Sequence, residues 1–421
     1  MPPAQSSSLC RSAYAVVLAG GRGSRLGPLT DHRSKPAVPF AGKLKIIDFA
    51  LSNCVNSGVR RIGVLTQYKA QSLIRHVERG WGFLASSLGE FVDIAPAQQR
   101  SGEAWYAGTA DAVWQNRDLI REAAPRHVLV LGGDHVYKMD YRRMLEAHVA
   151  RDAQVSVACL AVPVAEAGAF GVLAVDEQDR VLAFDEKPAL PRSLPERPAL
   201  ALASMGIYAF DTELLLRALA ADAENAASSH DFGRDVIPAL LGRVRLMAHH
   251  FEHSCVNQVE GRPYWRDVGT VDAYWDANMD LVQVQPELNL YDDDWPILSQ
   301  QRQLPPAKFV FDAEGHRGMA LDSLVDSGCI VSGTAVRRSI LFSKVRVGDH
   351  GLIEDALLLP NVVCGEGVRL RRVIVDKHCR LPAGFHAGID TEADVARGFF
   401  VTPAGITLVT PDMLGQSRRV G

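Results

Sequence analysis

No C-x-x-C pair occurs in these 421 residues, and the seven cysteines (10, 54, 159, 255, 329, 364, 379) are scattered and odd in number. That pattern excludes a disulfide framework and a zinc ribbon, and a reducing cytoplasmic location is expected. No stretch reaches the roughly 18 apolar residues that a membrane span needs, so no membrane partner is expected. The apolar run at 13–19 leads straight into Gly20-Gly21-Arg22-Gly23 with no cleavage site, and reads as a buried strand rather than a signal. Charge of one sign is also lacking: 45 Lys and Arg against 49 Asp and Glu leave a net charge of −4. Nothing in bulk electrostatics therefore favours nucleic acid, and an anionic ligand must be held by a local cationic cluster. Two nucleotide signatures are missing as well. There is no G-x-x-x-x-G-K-[ST], and a G-x-G-x-x-G would need glycine where Leu26 stands.

What remains is an ordinary globular composition, 47% hydrophobic and 22% charged, long enough for two or three domains. Tyr14–Leu18, Arg61–Thr66, His127–Leu131 and Val155–Leu160 read as strands, separated by helical patterns such as Leu73, Ile74 and Val77. Such alternation predicts an α/β domain with a mostly parallel sheet, whose ligands bind beyond the carboxyl ends of the strands. The domain is taken as residues 1–285. A proline-rich segment over 286–308 reads as a linker, and its acidic run Asp292–Asp294 as solvated. Over 309–421 the periodicity changes: the bursts Ile340–Phe342, Leu357–Leu359 and Val373–Val375 recur about every seventeen residues. That is close to one coil of a three-sided parallel β-helix. The crowded His249, His250, His253 and Cys255 do not read as a metal site, because neighbours on a strand face opposite ways.

The strongest chemical signal is Leu18-Ala19-Gly20-Gly21-Arg22-Gly23-Ser24-Arg25-Leu26, directly after the first strand. Its glycines let backbone N–H groups approach phosphate oxygens, and Arg22, Arg25 and the later Lys35 add charge. Leu131-Gly132-Gly133-Asp134-His135 ends another strand with a carboxylate suited to hydrated Mg²⁺, and Asp267 in Y-W-R-D-V-G-T supplies a second. Lys187 in F-D-E-K-P is a compact point charge suited to a phosphate monoester.

Together these stretches, with K-P-A-V-P-F-A-G-K-L-K-I-I-D-F-A-L-S-N over 35–53, G-T-A-D-A-V over 108–113, A-S-M-G-I-Y-A-F over 203–210 and S-S-H-D-F-G-R-D over 228–235, resemble bacterial ADP-glucose pyrophosphorylases. The resemblance runs from Tyr14 to Leu414. It implies a Rossmann-like nucleotidyltransferase domain followed by a left-handed parallel β-helix, a homotetramer, and adenylyl transfer from ATP to glucose 1-phosphate with Mg²⁺. On the matching positions it implies that Leu18, Gly20, Gly21, Gly23, Ser24, Arg25, Gln67, Gln99, Tyr106 and Gly108 bind ATP. Gly171, Glu186, Lys187, Ser204, Tyr208, Asp231, Phe232 and Trp265 would bind glucose 1-phosphate. Arg25, Lys35, Asp134 and Asp267 would be catalytic, with Asp134 and Asp267 as the metal ligands.

The resemblance further implies allosteric control by an activator, with AMP, ADP or phosphate as inhibitor. The chain departs from some relatives here, with His32, Pro411 and Gly415 where they present Lys or Arg. A doubly charged activator such as fructose 1,6-bisphosphate is thereby disfavoured against fructose 6-phosphate or pyruvate. Arg33, Arg418 and Arg419 are cations that could substitute.

Overall fold

A computed structural model describes residues 3–97, 105–256, 258 and 261–417. The chain forms two compact units that interleave in sequence. The first takes the chain up to Gly21, then Phe49–Trp265 and Asp292–Leu298; the second takes Arg22–Asp48, Arg266–Tyr291 and Ser299 onward.

In the first unit, strands β1 (Tyr14–Leu18), β2 (Arg61–Thr66), β3 (Phe91–Pro96) and β4 (His127–Gly132) form a parallel set in the order β3-β2-β1-β4. β1 and β4 are buried almost throughout, as continuous apolar strands covered on both faces must be. The sheet continues through β5 (Val155–Pro163), β6 (Gly171–Val175), β7 (Val181–Glu186), β8 (Leu200–Asp211) and β9 (Leu246–His250). The long β8 runs antiparallel to β4, β5 and β6, while β9 lies parallel to β5. Val16, Val128, Val130, Phe210, Leu215 and Phe232 belong to one core beneath it. Helices α1 (Gln71–Gly80), α2 (Thr109–Gln115), α3 (Tyr141–Ala150) and α4 (Thr212–Ala223) connect the strands.

The second unit carries the solenoid. Ala335 pairs with Leu352, Leu352 with Arg369 and Arg369 with His386, all parallel and seventeen residues apart. A second parallel face registers Val347 with Cys364 and Cys364 with Leu381. The apolar bursts therefore stack coil upon coil, with Ile340 over Leu357 and Leu357 over Ile374. Alternate members of the bursts, Leu341, Leu358, Val373 and Val375, fill an interior with Val331, Ile353 and Val362. All seven cysteines are buried and none forms a disulfide.

The proline-rich segment departs from the reading of a solvated spacer. Residues Asp292–Leu298 belong to the first unit, where Asp292 Oδ2 accepts from the buried Lys138 Nζ at 3.1 Å. Trp295 Nε1 donates to Asn53 Oδ1 at 3.0 Å. The acidic run thus supplies a partner that a buried ammonium requires. Among the described residues, no helix is long and apolar enough to cross a membrane.

Candidate active site

The carboxyl ends of β1 and β4 lie side by side, with Leu18 opposite Gly132. The Leu18 carbonyl accepts from the Gly133 N–H at 3.0 Å, and a Cβ on Gly133 would stand 3.0 Å from Val17 and 3.1 Å from that carbonyl. The paired glycines are thus what let the chain turn against β1 and deliver Asp134. Its carboxylate is one-third exposed, 3.7 Å from His135 Nδ1, and the His135 ring packs on Trp265 at 5.0 Å.

Beyond β1, Gly20 abuts Gln67, whose Nε2 donates to the Tyr106 carbonyl, while space around Gly21 is open. Tyr106 is buried and its hydroxyl accepts from Asn116 Nδ2 at 2.8 Å. Gln67, Tyr106 and the start of the glycine loop therefore come together. Gly108 has a packing constraint of its own. A Cβ there would overlap the Ser229 and His230 carbonyl oxygens, and the Ala110 N–H donates to His230 O at 2.8 Å. Its missing side chain serves the packing of α2 against the 228–231 turn. Gln99 lies outside the described residues.

Around the expected sugar-phosphate subsite, Gly171 pairs with Glu186 across β6 and β7. Cβ atoms on Gly171 and Gly233 would stand 2.9 and 2.5 Å from Glu186 Oε2. Both glycines clear a way to one carboxylate. Lys187 follows in a left-handed conformation (φ 47°), largely exposed, with Nζ 3.1 Å from Glu186 Oε1. Tyr208 stacks on Phe232 at 5.7 Å, and Trp265 packs edge-on against Phe170 at 5.3 Å. Burial holds the Tyr208 hydroxyl protonated, while its hydrogen bond with Ser204 works the other way. Asp231 is committed more heavily than its motif suggests. Oδ1 caps the next turn by accepting from the N–H groups of Gly233 and Arg234, and Oδ2 accepts from Thr109 Oγ1 at 2.9 Å. Gly233 and Thr109 were not singled out from sequence, although both lie inside quoted motifs. Phe170 carries no sequence signal.

In the second unit, Gly23 (φ 67°) lies so near Lys35 that a Cβ would stand 2.7 Å from the lysine Cβ. Lys35, 4% exposed, donates from Nζ to Asp267 Oδ1 at 2.7 Å. Arg25 Nη2, on a side chain 62% exposed, donates to Asp267 Oδ2 at 3.1 Å. Three expected catalytic residues, Asp267 lying far along the chain from Arg25 and Lys35, thus form one charged network. Asp134 in the first unit and Asp267 in the second each offer hard carboxylate oxygens, the donor type that suits a divalent cation of the magnesium kind.

Arg33 is removed from any surface role, because it is fully buried and Nη2 donates to both oxygens of Asp376. His32 Nε2 faces Asp412 Oδ2 at 3.3 Å, Pro411 opens a short 3₁₀ turn, and Gly415 closes it with φ 65°. Arg418 and Arg419 lie outside the described residues.

A nucleotidyl transferase family model matches residues 14–284, and a GlmU-like C-terminal hexapeptide model matches 305–409. The second match accords with the left-handed form of the β-helix. The chain is 58% identical over 410 residues to a glucose-1-phosphate adenylyltransferase of Nitrosospira multiformis, covering 97% of this chain and 96% of the relative. It is 59% identical to one of Methylobacillus flagellatus (98% and 96% covered) and 59% identical to one of Paramagnetospirillum magneticum (96% and 94%). Nucleotidyl transferases work with a divalent metal ion. The chain belongs to the glucose-1-phosphate adenylyltransferase family of nucleotidyl transferases.

Proposed function

We propose that this protein transfers the adenylyl group of ATP to glucose 1-phosphate, giving ADP-glucose and pyrophosphate for glycogen synthesis. A phosphate oxygen of glucose 1-phosphate forms a bond to the α-phosphorus of ATP, and the bond from that phosphorus to the β-phosphate oxygen breaks. The attacking group is already an anion near pH 7, so no general base is needed. The residues' work is positioning and charge neutralisation. The observation that carries the reading is the convergence of Lys35 and Arg25 on Asp267 beside the glycine loop.

In this reading the Gly20–Arg25 loop and Lys35 cradle the triphosphate, and Gln67, Gln99, Gly108 and Tyr106 seat the adenine nucleotide. Glu186, Lys187, Ser204, Tyr208, Asp231, Phe232 and Trp265 surround the sugar phosphate. Asp231 supports its part of the wall through Thr109 and its capped turn. Asp134 and Asp267 hold Mg²⁺, which supplies neutralisation of phosphate charge when bound. The working form is a homotetramer in the cytoplasm, activated by fructose 6-phosphate or pyruvate and inhibited by AMP, ADP or phosphate. The reaction is tested by measuring pyrophosphate released with glucose 1-phosphate from ATP, UTP and dTTP in turn. ATP should be used at least about tenfold better than either, a discrimination worth about 1.4 kcal/mol; equal rates with UTP would overturn the adenylyl assignment.

A further inference from the structure

The opposite end of β4 holds a second cluster that the reaction does not use. We propose that His127, His148 and Asp211 form a site for a divalent transition-metal ion, zinc by the chemistry of its donors. His127 begins β4, His148 lies in the last turn of α3, and Asp211 ends β8. Asp134 follows the far end of β4, roughly 20 Å away at the rise of a strand, so this is not the centre described above.

Three observations carry the site. Each residue offers one ligand atom, and all three atoms lie within 4.8 Å of one another. Asp211 Oδ1 is 3.1 Å from His127 Nδ1 and 3.5 Å from His148 Nε2. Tetrahedral zinc with bonds of about 2.0–2.1 Å separates its ligands by about 3.4 Å, so the carboxylate is already at ligand spacing from both rings.

The second observation is a buried ring whose one close polar neighbour is poorly aligned. His127 is 3% exposed in its side chain, yet neither ring nitrogen makes a hydrogen bond of acceptable geometry, despite the short approach of Nδ1 to Asp211. Nitrogen atoms shut away from water in this way are costly unless something satisfies them. The nearby positive charge of Arg126 works against a cation here.

Third, the surroundings resemble the outer shell of a metal centre. His148 Nδ1 is bonded to Ser156 Oγ at 2.8 Å, an arrangement that orients the ring with Nε2 toward Asp211. Asp211 stands at the N-cap of α4 without making a side-chain cap, so the helix does not need its carboxylate. Its side chain is 39% exposed, which gives an ion an entry path and room for water as the fourth ligand.

The test is cobalt and zinc titration of chelator-stripped full-length protein carrying Asp134→Asn, which disables the other carboxylate pair while leaving Asp267 to hold Lys35. The expected result is one equivalent of Co²⁺ with the ligand-field absorption of a tetrahedral site, displaced by Zn²⁺, and a Zn²⁺-dependent rise in Tm. Adding Asp211→Asn should abolish both signals. Adding Ser156→Ala, which spares the ligands, should weaken Zn²⁺ about 10–100-fold. Absence of saturable binding in the Asp134→Asn protein overturns the site, whatever the further variants do. So does binding that both added substitutions leave unchanged, in which case the trio is only a hydrogen-bonded packing cluster.

Discussion

Lys35 Nζ lies 2.7 Å from Asp267 Oδ1, and this lysine, almost wholly buried, is held beneath a glycine loop by an aspartate from the other end of the domain's sequence. The carboxylate has two tasks in the proposed reaction, fixing the Lys35 ammonium and offering oxygen to the metal. Asp134 has only the second. The two aspartates should therefore fail differently when substituted.

Asp134→Asn should lower kcat by about 10²–10³, the scale of one preorganised charge interaction at a reacting phosphate, with KM values nearly unchanged and Tm preserved. Asp267→Asn should lower kcat as much and also cost about 3 kcal/mol of stability, because it takes the carboxylate charge away from a buried cation. Denaturant midpoints alongside kcat check both. Near-normal kcat in folded Asp134→Asn protein would remove the metal assignment.

Lys187→Ala should raise KM for glucose 1-phosphate about 10–150-fold, from the loss of a charged hydrogen bond of about 1.5–3 kcal/mol. Both kcat and the KM for ATP should change little. An effect confined to ATP would place this turn at the wrong substrate.

Gly108→Ala forces a methyl group into the Ser229 and His230 carbonyls. Overpacking of this kind costs typically about 1–3 kcal/mol. Because the displaced turn carries Asp231, KM for glucose 1-phosphate should rise together with the loss of Tm. A variant with normal Tm and a raised KM for ATP alone would confine the part of Gly108 to the nucleotide subsite.

Fructose 6-phosphate or pyruvate should activate at lower concentration, and further, than fructose 1,6-bisphosphate. His32 faces the Asp412 carboxylate, and Arg33 is consumed by Asp376, so two candidate contacts for a second phosphate are absent or opposed. Each missing charged contact forfeits about 1.5–3 kcal/mol. Titration of all three at subsaturating ATP checks this, and His32→Lys should shift the preference toward the bisphosphate. A bisphosphate with the lowest half-activation concentration in the unaltered enzyme would overturn the charge argument.

Acid should destabilise the first unit through His249. Burial lowers its pKa to about 3, helped by His253, Arg151 and His250 and opposed by Asp179. Unfolded histidine titrates near 6.5, so between those values the unfolded chain binds the proton that the folded chain refuses. Stability is then fully present above about pH 6.5 and is lost progressively as pH falls toward 3. Urea midpoints at pH 7.5 and 5 should show the fall, and His249→Gln should reduce the difference between them.

Much was legible in the sequence because it is local. The apolar runs of β1 and β4, the seventeen-residue recurrence of the solenoid and the glycine loop each depend on residues close along the chain, where periodicity and turn chemistry speak directly. The motif residues Asp134, Lys187 and Trp265 could be named for the same reason. Tertiary structure alone decided which distant groups meet. It spent Arg33 on Asp376 inside the second unit, gave Gly108 a packing requirement, gave Asp292 to Lys138, and drew Lys35 and Arg25 onto Asp267. It also brought His127, His148 and Asp211 together from three separate elements. A buried charge must find its partner wherever the fold delivers one, and no spacing along the chain records that choice.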